Sequence, residues 1–162
     1  MGAGKTTVGK GLATKLGKAF FDSDSVIEER TGVDIGYIFE LEGEEGFRKR
    51  EMKIIEELTA KSGIVLATGG GSILAPENRN FLAARGVVVY LECTLEQQYE
   101  RTIRDKNRPL LKTDDPKKKL EEIFAIREPL YKATADTIVP SSQRNVRRTT
   151  TIILDEIEAL NG

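Results

Sequence analysis

Met1-Gly2-Ala3-Gly4-Lys5-Thr6-Thr7-Val8 opens the chain, and Gly4-Lys5-Thr6 decides how the rest is read. A phosphate-binding loop follows G-x-x-x-x-G-K-[ST] between a strand and a helix. Its glycines let backbone N–H groups curl around phosphate oxygens, its lysine reaches the outer phosphates, and its hydroxyl ligates a divalent cation. The second half of that pattern is present here; the first glycine and the leading strand would fall before residue 1. The expectation is therefore a chain lacking its N-terminal edge, with a deficit in sheet pairing, stability and phosphate binding, and with no targeting signal to be read from its start. The competing reading of the same residues is a glycine-rich tail ahead of a helix.

Working outward, Val8, Leu12 and Leu16 recur at helical spacing and Gly17 ends the run, which predicts a helix behind the loop. Ala19-Phe20-Phe21, Ile64-Val65-Leu66-Ala67, Val87-Val88-Val89-Tyr90-Leu91 and Thr137-Ile138-Val139 are short apolar runs that read as buried strands. Between them lie helical patterns: residues 25–62 broken at Gly32, Gly36 and Gly43 to Gly46, then 76–85, a helix marked by Leu95, Tyr99 and Ile103, one marked by Leu120, Ile123, Phe124 and Arg127, and an amphipathic closing helix over 146–160. Uniformly apolar strands alternating with helices predict an α/β fold with a parallel sheet covered on both faces.

The composition narrows the chemistry. The 162 residues predict one domain, and 25 Lys plus Arg against 26 Asp plus Glu leave a net charge of −1, which offers no global attraction to nucleic acid. No apolar run approaches the ~18 residues of a membrane span. The absence of histidine excludes imidazole catalysis and imidazole metal ligation. The single Cys93 excludes an internal disulfide framework and reads as inert packing. Catalysis must rest on carboxylates, Lys, Arg, hydroxyls and backbone amides.

Ligands of a parallel α/β sheet bind at the carboxyl ends of its strands, and three polar clusters fall there: Gly2 to Thr7, Asp22 to Asp24, and Thr68 to Gly71. On an extended backbone Asp22 and Asp24 would share a face and divide metal and substrate duties; Asp-Ser-Asp is equally a helix start. Gly69, Gly70 and Gly71 read either as a side-chain-free cradle for an anionic ligand or as a flexible turn. Arg48, Arg108 and Arg127 each read as a solvated arginine when taken alone. Residues 101–119 carry eight Lys or Arg against three Asp and few apolar residues, as expected of a mobile phosphate-facing lid around 105–119; interleaved aromatics for nucleic acid are lacking.

Gly2-Ala3-Gly4-Lys5-Thr6-Thr7, Asp22-Ser23-Asp24, Gly46-Phe47-Arg48, Thr68-Gly69-Gly70-Gly71, Arg108-Pro109-Leu110-Leu111 and Arg127-Glu128-Pro129-Leu130-Tyr131, in this order, resemble the shikimate kinase family over essentially the whole chain. The resemblance implies a three-layer P-loop NTPase sandwich of the nucleoside-monophosphate-kinase type, with a five-stranded parallel sheet whose first, central strand precedes residue 1. It implies transfer of the ATP γ-phosphoryl group to the shikimate 3-hydroxyl on the route to chorismate. By the same resemblance Gly2, Ala3, Gly4, Lys5, Thr6 and Thr7 hold the ATP phosphates, Arg101 lies against adenine, and Thr6 with Asp22 holds Mg²⁺. Asp24 grips the shikimate hydroxyls and is the candidate base. Arg48, Arg127 and Gly69, Gly70 and Gly71 hold the shikimate carboxylate and ring. Arg108 swings in from the lid, so Lys5, Asp24 and Arg108 form the catalytic set. Such positioning and charge neutralisation is what phosphoryl transfer needs, so a kinase without histidine is no contradiction. A cytoplasmic monomer with no nucleic-acid or membrane partner is implied as well. Two alternatives stay open: a related small-molecule kinase such as a gluconate kinase, and a non-catalytic phosphate-binding module.

Overall fold

A computed structural model of the chain describes residues 4–104, 113–141 and 145–162. Its elements run α1 (Lys5–Leu16), β1 (Ala19–Asp22), α2 (Ser23–Thr31), α3 (Ile35–Thr59), β2 (Ile64–Ala67), a 3₁₀ turn (Gly70–Leu74), α4 (Pro76–Arg85), β3 (Val89–Glu92), α5 (Leu95–Thr102), α6 (Pro116–Thr134), β4 (Thr137–Pro140) and α7 (Val146–Asn161). Gly2, Ala3 and Arg108 lie outside the described residues, as does the 105–112 portion of the expected lid; residues 116–119 form the first turn of α6.

Chain ends of the helices follow local chemistry. Gly17 adopts the left-handed conformation (φ 65°) after α1 and returns its N–H to the Ala13 and Thr14 carbonyls. Asp22, Asp34, Thr94, Asp115 and Asn145 cap α2, α3, α5, α6 and α7 through side-chain oxygens. Of the expected glycine breaks in 25–62, Gly32 ends α2 and Gly43 (φ 71°, ψ −179°) interrupts α3, whereas Gly36 and Gly46 lie inside helical turns. A glycine costs a helix interior only about 1 kcal/mol, so well-packed flanks carry the helix through it and composition alone overstated the breaks.

Both strand pairings are parallel: β1 with β2, Phe20 opposite Val65 and Phe21 opposite Leu66, and β3 with β4, Tyr90 opposite Ile138 and Leu91 opposite Val139. Because side chains alternate along a strand, Phe21 and Leu66 face one layer and Val65 the other. The first layer is α2 with α3, where Ile27, Ile38, Phe47, Ile54 and Leu58 form a core that Phe21 and Leu66 complete. The second is α1 with α7, where Val8, Leu12, Val139 and Ile153 pack with Val65 of β2 and with Val89 and Leu91 of β3. This second core joins the two strand pairs. Gly9 is needed there, since a Cβ on it would stand 2.5 Å from the Phe20 ring.

The expected strands form, but they are not uniformly buried: only Ala67 and Val139 are, and Ile138 is largely exposed. Each strand is hydrogen-bonded on one side only, in two sheets of two, among the described residues. The central strand implied by the resemblance has no counterpart among them. The helical layers are nevertheless arranged as the three-layer sandwich requires. Among the described residues no helix is long and apolar enough to cross a membrane.

Candidate active site

The carboxyl ends of β1 and β2 and the start of α1 meet at one place. Gly4 caps α1 in the left-handed region (φ 76°, ψ 27°), with open space where a Cβ would stand. Lys5, Thr6 and Thr7 are the first helical residues, so their amides lack intrahelical partners and carry the positive end of the helix dipole. Thr6 Oγ1 donates to Asp22 Oδ2 at 2.9 Å. The other oxygen of the same carboxylate accepts from the amides of Asp24 at 3.0 Å and Ser25 at 3.2 Å. Asp22 thus caps α2 and ties it to α1. The helix-start reading of the acidic pair holds for Asp22. Their shared extended face does not exist, because β1 ends at Asp22 and Asp24 stands in the first turn of α2, where helix capping wins over strand continuation.

At the end of β3, burial pushes the Cys93 thiol up while the Arg101 and Lys5 charges pull it down. Cys93 itself is buried. Arg101 Nη1 donates to Ser141 Oγ at 3.3 Å, and the Ser141 amide donates to the Glu92 carbonyl at 2.8 Å, so the ends of β3, β4 and α5 are linked.

A second cluster surrounds the three glycines. The Gly69 amide donates to Ser23 Oγ at 3.2 Å, and a Cβ on Gly69 would stand 2.8 Å from Asp24 Oδ1. Gly70 opens the 3₁₀ turn, and its carbonyl accepts a hydrogen bond from the Tyr131 hydroxyl at 2.6 Å. A Cβ on Gly71 would overlap the Arg48 guanidinium. The glycines therefore form neither a loose turn nor a bare cradle. They are an ordered turn whose missing side chains admit Asp24 and Arg48.

Arg48 is held on three sides. Its Nη1 donates to Glu51 Oε1 at 2.9 Å, its Nη2 lies 3.4 Å from Glu44 Oε1, and its Cζ stands 5.1 Å from the Phe47 ring centroid. Arg127 is 5 % exposed, and desolvation together with the like charge of Arg48 lowers its proton affinity, against the pull of Tyr131 and Glu44. Two guanidinium groups lie in one another's field, with Asp24 beside Gly69, an arrangement whose chemistry suits a small carboxylate that also carries hydroxyl groups.

Three residues of this site had no role in the sequence reading. Glu51 is 1 % exposed, and burial, only partly offset by Arg48, lifts its carboxyl to about 7, with the Asp24 charge adding to the rise. The stripe Phe47, Glu51, Ile55 and Leu58 carries the signal, since it places Glu51 on the inward face of α3. Ser23 and Tyr131, by contrast, reach Gly69 and Gly70 across long stretches of chain, and local spacing does not show such pairings.

A family model described as shikimate kinase matches residues 1–158. The shikimate kinase of Haemophilus influenzae (strain PittEE) is 55% identical over 163 residues, covering 100% of this chain and 91% of that protein. A structure of shikimate kinase from Acinetobacter baumannii in complex with shikimate superposes with a TM-score of 0.95 at 50% identity, covering 98% of this chain and 89% of that one. Shikimate kinase from Aquifex aeolicus matches with a TM-score of 0.87 at 35% identity, over 100% of this chain and 95% of that one. By sequence along its whole length and by fold, this chain belongs to the shikimate kinase family and is a kinase.

Proposed function

We propose that this chain transfers the γ-phosphoryl group of ATP to the 3-hydroxyl of shikimate, as one domain over residues 1–162 working as a cytoplasmic monomer. The observation that carries the reading is the convergence of Arg48, Arg127, Asp24 and Gly69 to Gly71, with the Asp24 amide on the same Asp22 carboxylate that receives Thr6 of α1. The similar Acinetobacter baumannii protein was captured with shikimate bound.

The residues divide by chemistry. Gly2, Ala3, Gly4, Lys5, Thr6 and Thr7 hold the ATP phosphates, with the amides of Lys5, Thr6 and Thr7 at the α1 N-terminus and Lys5 adding a point charge. Arg101, held by Ser141, serves the adenine side. Arg48 and Arg127 bind the carboxylate of the acceptor, with Gly70 and Gly71 passing beside it. Asp24 accepts the hydroxyl proton or orients the hydroxyl for in-line attack. Arg108 neutralises charge on the transferred group. Thr6 and Asp22 offer hard oxygen donors that fit Mg²⁺, and their 2.9 Å hydrogen bond brings a hydroxyl and a carboxylate oxygen together. Held by Thr6 and Asp22 alongside ATP, Mg²⁺ would supply charge neutralisation at the phosphates.

ADP release measured against shikimate, gluconate and a panel of polyols tests this. Shikimate-dependent turnover alone is the expected result. Turnover with gluconate would move the assignment to the related kinase, and no turnover with any acceptor would leave a phosphate-binding module.

A further inference from the structure

We propose that Tyr131 is a positioning residue for the acceptor carboxylate, fixing the Gly70 peptide and the Arg127 guanidinium in one arrangement. This rests on the assignment of Arg48 and Arg127 to that carboxylate. Tyr131 stands one turn beyond Arg127 on α6, so the two side chains share a face. A phenol has one proton to give, and Tyr131 gives it to the Gly70 carbonyl at 2.6 Å across 61 residues of chain. Its lone pairs are left toward the Arg127 guanidinium one turn back on the same face, whose charge acts on the phenol. Burial raises the phenol above its ordinary value, so it stays a donor at neutral pH.

The consequence for the glycines follows from peptide geometry. In a trans peptide the Gly71 N–H points opposite to the Gly70 C=O. Holding that carbonyl toward α6 therefore turns the Gly71 amide away from Tyr131. It also keeps Gly71 against the Arg48 guanidinium, which itself lies within the electrostatic reach of Tyr131. One hydroxyl thus sets the relation between both arginines and the glycine turn. The Tyr131 ring has separate support from Tyr90, at 5.0 Å between centroids, so removing the hydroxyl leaves the packing in place.

The experiment is Tyr131→Phe, with KM and kcat measured for shikimate and for ATP in the full chain. The expected result is a shikimate KM raised about tenfold, the loss of one buried hydrogen bond, with ATP KM within about twofold and kcat within about threefold of wild type. On the analogue whose carboxylate is reduced to a hydroxymethyl group, Tyr131→Phe and wild type should have equal KM, because the effect passes through carboxylate binding. Replacing Tyr131 with 4-aminophenylalanine, which retains ring and donor, should recover most of the shikimate KM. It serves as the second variant should Tyr131→Phe fold poorly. An unchanged shikimate KM, an equal rise for ATP, an equal rise on the hydroxymethyl analogue, or failure of the amino variant to recover would each overturn the proposal. Arg48→Ala and Arg127→Ala keep the two levels apart. If they raise shikimate KM and Tyr131→Phe does not, only the positioning role falls; if they too leave it unchanged, the carboxylate assignment falls with it.

Discussion

At the scale of single residues, the glycine turn and the buried carboxylate carry opposite lessons. A methyl group on Gly71 would meet the far end of a flexible side chain, so the fold survives and Arg48 moves. Gly71→Ala is expected to raise shikimate KM more than about tenfold, with a melting temperature within a few degrees of wild type. Calorimetry and steady-state kinetics on one preparation check both halves. Glu51 gives a prediction in pH. Its folded carboxyl sits at about 7 against an ordinary 4.5, so the folded state holds the proton more tightly than the unfolded chain. The group therefore favours folding below the unfolded value, and that contribution is lost as pH rises through about 7. Relative to Glu51→Gln, which does not titrate, wild type should lose on the order of 2 kcal/mol of stability between about pH 5 and about pH 8. A gap in melting temperature that stays constant across that range would show that Glu51 remains ionised throughout. The charge run around Glu51 disguises it: Glu44, Glu45, Arg48, Lys49 and Arg50 read together as a solvated face, and only the apolar stripe on α3 betrays the inward position.

Among the elements, the junction of α1, β1 and α2 is where helix capping and the proposed cation site share a side chain. Asp22 caps α2 with one oxygen and receives Thr6 with the other. Asn is as good an N-cap as Asp, so Asp22→Asn should hold the melting temperature nearly constant. The Mg²⁺ concentration for half-maximal rate should rise several-fold, because a neutral amide oxygen is a weaker ligand for a hard dication. Asp22→Ala should lose both, with about 1 kcal/mol of stability. A titration of rate against Mg²⁺ for the two variants separates capping from cation binding, and equal Mg²⁺ dependence in wild type and Asp22→Asn would remove Asp22 from the metal assignment. The helix and strand order here was legible from Gly17, from Phe20-Phe21 and from the Asp-Ser-Asp start. The handover from strand to helix at Asp22 was not, since an extended and a helical backbone both accept that tripeptide.

Across the whole molecule, the proposed acceptor site draws on α2, α3, the 3₁₀ turn and α6, so an occupant would tie the α2 and α3 layer to α6. A ligand that binds only the folded state at a hundredfold its Kd stabilises by about 2.7 kcal/mol. For a chain of this length that corresponds to a rise of roughly 5–10 °C in melting temperature. Shikimate without nucleotide should produce that rise in wild type, and Arg48→Ala should lose most of it at the same concentration. A thermal shift with gluconate and none with shikimate would count against the acceptor assignment.

The sequence by itself determined the alternation of helices and short apolar strands, the parallel pairing it implies, and the three polar clusters at strand ends. These are local properties of spacing and backbone preference, and a chain displays them before it folds. It also carried the family, through motifs whose order survives in the text. Only the tertiary structure decided that Glu51 meets Arg48 and Tyr131 meets Gly70, that Asp24 stands on a helix, and that the glycines are an ordered turn pressed against Asp24 and Arg48. Those facts depend on burial and on contacts between segments far apart in sequence, where the energy of a charge or a hydroxyl is set by neighbours that spacing along the chain does not reveal.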